Sequence, residues 1–446
     1  MSITGFHRRA GASLACAAAL TGLATAAGAA VDPAATRAAA AQEVNADYPH
    51  LDALYKDIHA HPELGLQETA TAARLAREMR ALGFTVTEGV GKTGIVALYH
   101  NGPGPTVMVR TELDALPLEE KTGLAYASHD KQVVGGRESF VDHACGHDVH
   151  MAIWVGTARA LLSQKARWSG TLMFIGQPAE ELGAGATAMI KDGLFTRFPK
   201  PDYGFALHVG PGPAGEIRYK AGVITSSADW LDITFHGRGG HGSMPSKTID
   251  PVLEAARFVV DVQSVISREK DAAAFGVITV GSIQAGTVGN IIPDQARLLG
   301  TIRSYDPEVR ARMLDGIART AKGVAIIAGA PPADVSLVVT ARAVVNDTPL
   351  TERSAKALKA AFGAQADWEP APSAASEDYS EFVIAGVPSF FFSLGALDPK
   401  LIAEAAAGGK PVPVNHSPFF APVPEPTIKA GVEAMSVVVI NVMAKK

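Results

Sequence analysis

The sequence predicts an α/β chain: a mixed, mostly parallel sheet flanked by helices, with an inserted α+β domain of the split βαβ sandwich type. Three observations predict it. Short apolar runs alternate with helix-periodic segments up to about residue 225. Between residues 226 and 341 the order becomes β-α-β-β-α-β. Helix–strand alternation then resumes after about residue 345. A chain of 446 residues also exceeds the size at which one core keeps growing, which favours two domains.

Taken in order, residues 1–30 open with His7, Arg8 and Arg9, continue as an uncharged run rich in Ala and Leu, and end in small residues at Ala27–Ala30. That order predicts a secretory signal peptide, and with it an exported protein, periplasmic or secreted. Cys16 is expected to leave with the signal, so the mature chain keeps one cysteine, Cys145. Residues 51–82 read as an amphipathic helix or helix pair broken by "HPELG". Then come the apolar strands "PTVMVR" (105–110), "GTLMFIGQ" (170–177) and "DYGFALHVG" (202–210), with a helix over 149–164. The inserted segment reads as strand 228–237, helix 250–267, strands 275–286 and 295–305, helix 307–329 and strand 334–341. "VPSFFFSLG" (387–395) is a further buried strand. The expected boundaries are 45–225 together with 342–446 for the large domain, and 226–341 for the small one. No segment after the signal offers the ~20 consecutive apolar residues of a spanning helix. A net charge of -5 gives no case for nucleic acid or an anionic membrane.

The chemistry concentrates in "DHACGHDVH" (142–150), which holds three histidines, two aspartates and Cys145. Read as an extended segment, Cys145 and His147 point to one side and suit a borderline-soft divalent metal. "GQPAEEL" puts Glu180 and Glu181 just after an apolar strand, where α/β sheets place ligand sites. One of the two could bind metal while the other takes a proton from an activated water. His208 is expected to close the strand "FALHVG", and His416 lies in the loop "VPVNHSPFF". His143, His150 and Asp148 are candidates for orienting the ligands. His59, His61, His100, His129 and His236 lack such settings and read as surface or helix-cap residues.

The chain resembles the M20 metallopeptidase family, in its branch of amidohydrolases acting on N-acyl amino acids. The resemblance runs from about residue 50 to 435. It is carried by "HPELGLQE" (61–68), "RTELDALP" (110–117), "DHACGHDVHM" (142–151), "GQPAEE" (176–181), "ALHVG" (206–210), "GRGGHGSMP" (237–245), "GTVGNIIPD" (286–294), "GTIRSYD" (300–306), "SEDYSEF" (376–382) and "VNHSPFF" (414–420). It implies two divalent metal ions per subunit (Zn, Mn, Co or Ni) held by Cys145, His147, Glu181, His208 and His416, with Cys145 shared between them. It implies Glu180 as general base. It makes the insertion a lid and dimerisation domain, whose His241 reaches the partner's site to stabilise the oxyanion. It implies Asn290 and Arg303 as holders of the substrate carboxylate, and Asp114, Asp148 and Glu377 as residues behind the ligands. Two positions depart from the family pattern: Glu112 stands where the family usually has Asp, and Ser246 where many relatives have a second histidine.

The expected activity is therefore hydrolysis of the amide of an N-acyl amino acid by an exported homodimer, with a small-molecule substrate and no nucleic-acid partner or stable membrane span. A dipeptidase or carboxypeptidase would use the same residues. A catalytically silent binding protein would not need Glu180. A cysteine hydrolase would use Cys145 and His147 without metal.

Overall fold

The computed structural model describes residues 31–445; the expected signal peptide, residues 1–30, lies outside the described residues. Across the large sheet the strands run in the order Thr85–Val90, Gly94–Asn101, Gly170–Gln177, Thr106–Glu112, Tyr203–Pro213, Ser389–Leu397, Ile217–Tyr219 and Ala366–Trp368. The four central strands, from Gly170–Gln177 to Ser389–Leu397, are mutually parallel. The first two strands add antiparallel at one edge. The central strands are apolar almost throughout because helices cover both faces, as parallel sheets require.

The leading helix, Pro33–Ala60, begins well ahead of the expected boundary at residue 45. Its start has a local cause: Asp32 accepts a hydrogen bond from the Ala34 N–H (3.0 Å) and Pro33 supplies a helical φ. Residues 61–68 break it from the next helix, Thr69–Ala81. The long helix Pro424–Met443 is apolar and long enough to cross a membrane by composition. Here it packs on the helices Pro33–Ala60 and His147–Ser163, with 78% of its most apolar window buried. It is the central core helix, and no segment-length count in the sequence singled it out.

After Gly222–Val223 the chain leaves the large sheet, and it returns at Val345–Asn346, which pairs with those residues. Between them lies a four-stranded antiparallel sheet in the order Gly276–Ala285, Gln295–Ser304, Ser227–His236, Asp334–Ala341. The helices Pro251–Asp261 and Pro307–Ala328 cover one face over a separate core that includes Phe235, Phe258, Leu298 and Met313. This is the split βαβ order expected from the sequence. The expected helix 250–267 is cut short: the α-helix stops at Asp261 and a π turn follows at Val265–Glu269.

Candidate metal centre

The loop carrying Cys145 is not extended. Gly146 adopts a left-handed conformation (φ 88°) and caps the helix His147–Ser163, so His147 is that helix's first residue. The turn needs glycine twice over, for its φ and for space: a Cβ there would lie 2.4 Å from a methyl of Val209. Glu180 and Glu181 follow the strand Gly170–Gln177 as expected, after a left-handed Ala179 (φ 48°). His208 does not close its strand, which continues through the next residues to Pro213. His416 also has a left-handed backbone (φ 67°). Non-glycine residues rarely sit there, and two of them beside the donors mark a site held by its surroundings.

All five sequence-predicted ligands converge. The donor atoms of Cys145, His147 and His208 lie within 4.8 Å of one another, as do those of Cys145, Glu181 and His416. Cys145 is common to both groups. Its sulfur is 3.4 Å from His208 Nε2, and Glu181 Oε1 is 3.3 Å from His416 Nε2. The imidazoles are prepared for coordination. His147 Nδ1 donates to the Asp114 carbonyl and His208 Nδ1 to the Val209 carbonyl, each at 2.7 Å, so it is Nε2 of each ring that faces the other donors. His147 Nε2 and Glu181 Oε1 are buried without a hydrogen bond, which is costly in a protein interior. Burial, with Glu181 and Glu180 alongside, pushes the Cys145 thiol well up, so a cation is what would hold it as thiolate. Thiolate, imidazole and carboxylate donors with orphaned atoms aimed inward fit divalent metal.

Glu180 is buried beside this cluster, with Oε2 3.8 Å from His147 Nε2. Burial, then Glu377 and Glu181, push its carboxyl well above the usual range. That is the direction a general base needs. Behind the ligands, Asp114 Oδ2 accepts from the Glu181 N–H (2.9 Å). His150 Nε2 accepts from the Val209 N–H (2.8 Å), so its Nδ1 carries the proton and donates to Glu112 (3.0 Å). His150 is thereby a support, and the longer side chain of Glu112 is accommodated between it and Arg110. His143 is buried with neither ring nitrogen bonded.

Asp148 faces away from the cluster, toward His59. Glu377 accepts from Arg110 (2.7 Å). Arg303 donates to Ser376 Oγ (2.6 Å), next to Glu377. His241 and Asn290 are neighbours on an exposed turn of the small sheet's connections, where the Gly242 N–H donates to the Asn290 carbonyl (2.8 Å). His241 Nδ1 accepts from Ser243. Among the described residues, no hydrogen bond joins His241 or Asn290 to the donor cluster.

Sequence reasoning missed two groups. Arg110 is fully buried and bonds Gln177 (2.9 Å), Glu112 and Glu377, with Asp378 3.5 Å away. A charged residue inside the apolar run "VMVRTE" was the available signal. His59 is not a surface or cap residue: it is buried between Asp148 and Glu120. His61, His100 and His129 are exposed and His236 partly so, as expected.

A large mostly parallel sheet carrying a thiol–imidazole–carboxylate centre with a spare carboxylate has the donors of a metal-dependent hydrolase. The chain belongs to the peptidase family M20/M25/M40, whose sequence profile matches residues 108–433. It is 36% identical over 328 residues to a hippurate hydrolase of Campylobacter jejuni, covering 73% of this chain and 82% of that one. It is 35% identical over 391 residues to thermostable carboxypeptidase 2 of Saccharolobus solfataricus, covering 86% and 93%. A Bacillus subtilis structure described as a dinuclear metal-binding peptidase of the M20 family superposes with a TM-score of 0.71 at 28% identity, over 90% of this chain and 99% of the other.

Proposed function

We propose that the protein hydrolyses N-acyl amino acids, releasing the acyl acid and the free amino acid. The observation that carries this is a pair of adjacent carboxylates at the cluster, a buried Glu180 and a half-buried Glu181, both with an oxygen within 4.8 Å of a His147 nitrogen. Glu181 joins Cys145 and His416 in a donor group, and Glu180 remains beside the cluster as a base. Residues Cys145, His147, Glu181, His208 and His416 would hold two divalent ions, Zn, Mn, Co or Ni by donor chemistry. Such ions polarise the scissile carbonyl and ease ionisation of water. Glu180 takes a proton from the attacking water and returns it to the leaving nitrogen. Arg303 makes no ion pair among the described residues, and its fork suits a carboxylate, so it receives the free carboxylate of the amino acid. Asn290, assigned to the same carboxylate, lies apart from it on the exposed turn with His241.

A carboxypeptidase-like preference is favoured by the second relative named above and uses the same residues. Turnover by the metal-loaded protein on matched N-acyl amino acids and dipeptides decides: the N-acyl compounds are expected to be cleaved faster, and a uniform preference for dipeptides overturns the assignment.

His241 is assigned to the active site of a partner subunit in a homodimer, where it donates to the oxyanion. Its exposed position and its lack of a bond to the cluster support this reading. Mixing His241→Ala with Glu180→Gln under subunit exchange is expected to restore activity, because one site of each heterodimer has both residues. A mixture that stays inactive while exchange is shown independently refutes the role in trans. The basic start and alanine-rich run of residues 1–30 support an exported protein; full-length, unprocessed protein confined to the cytoplasm of expressing cells contradicts it.

A further inference from the structure

His59 belongs to a second group of donors away from Cys145. It sits in the last turn of the helix Pro33–Ala60, is 1% exposed, and has donor atoms within 4.8 Å of Glu120 and Asp142. Its Nδ1 donates to Asp148 Oδ2 (2.6 Å), which turns Nε2 toward Glu120 Oε1 (3.2 Å). A carboxylate bonded to one imidazole nitrogen is how proteins orient the other nitrogen for metal. Asp142 is also 1% exposed, and its Oδ2 has no hydrogen-bond partner. The Glu120 side chain is buried as well.

Charge supplies the second argument. Glu120 also accepts from the Ser128 N–H and the Thr122 hydroxyl, and Asp148 from the Val149 N–H, so Asp142 is the carboxylate of the three left with an oxygen unpartnered, and burying it uncompensated is unfavourable. An ion that displaces the Nε2 proton would balance the group and give the orphaned Asp142 oxygen a partner. We infer that His59, Glu120 and Asp142 form a further divalent-cation site, distinct from the Cys145 cluster. One imidazole and two carboxylates without thiolate suit Zn2+ or Mn2+. Asp148 also accepts from the Val149 N–H at the start of the helix that carries His147, so the ion would brace the end of the first helix against the base of the hydrolytic centre.

The test is metal content. Full-length protein is stripped with chelator, reloaded with Mn2+ alone or Zn2+ alone, desalted and analysed for ions per chain. Glu120→Gln and Asp142→Asn are each expected to hold one ion fewer than wild type. Cys145→Ser is expected to lose ions of the hydrolytic centre and keep this one. Should one carboxylate variant misfold, the other decides. The inference is overturned if Cys145→Ser retains no ion, or if folded Glu120→Gln and Asp142→Asn match wild type. If Cys145→Ser loses nothing while Glu120→Gln loses an ion, the site stands and the reading of the Cys145 cluster fails.

Discussion

Glu180→Gln is expected to keep the wild-type metal content and lose at least ~10²–10⁴-fold in turnover, the usual contribution of a positioned acid–base group. Glutamine has the shape of glutamate but takes up no proton. The carboxylate is buried, with Glu377, Glu181 and Asp378 all raising its proton affinity. Its neighbour Glu181 also joins Cys145 and His416, and the substitution leaves those donors in place. Metal analysis and steady-state kinetics on the same preparation check both halves. Near wild-type turnover with full metal content removes Glu180 from the chemistry.

Arg110→Met is expected to destabilise the fold by about 3–5 kcal/mol, the range for removing one partner of a buried ion pair. The Arg110 side chain is fully buried, and it is the guanidinium that serves Glu112, Glu377 and Asp378 together. The balance around it is already uneven. Burial works against the charge on Glu112, but Arg110 and His150 outweigh it and hold that carboxyl well below its usual range. Burial and the adjacent Glu377 drive Asp378 the other way. Removing the cation leaves the surplus negative charge unopposed and frees Glu112, whose bond to His150 supports the strand that carries His208. Urea unfolding of wild type, Arg110→Met and Arg110→Lys is the check. Lysine keeps the charge and loses the fork, so it should fall between the others. An unfolding midpoint unchanged in Arg110→Met contradicts the account of this network.

The sequence revealed what is local. The paired glutamates after an apolar strand and the β-α-β-β-α-β order are contained in short windows, and the structure places them as read. The Cys-Gly-His spacing is equally local, but its two donors converge through a left-handed Gly146 and a helix start, not through an extended segment. What it concealed is non-local. His59 meets Asp148 across 89 residues of chain and Arg110 meets Glu377 across 267, and no periodicity reports such pairs. His208 was misplaced to a strand end because the apolar run stops at Val209, whereas backbone pairing with Gly395 and Leu397 carries the strand on to Pro213. The strand Gly94–Asn101 was not read at all. It carries a polar end, "YHN", and its apolar first half is too short to separate from a helix turn by pattern.

The central claim is that this centre cleaves N-acyl amino acids with bound divalent metal. The most direct measurement is turnover of an N-acyl amino acid by one preparation assayed as purified, after exhaustive chelation, and after reloading with Mn2+ or Zn2+. The account predicts that chelation abolishes turnover and that reloading restores it, with thiol alkylation of the loaded enzyme having little effect because Cys145 is buried and committed as a ligand. Turnover that survives chelation and is destroyed by alkylation would instead make Cys145 a nucleophile and contradict the account.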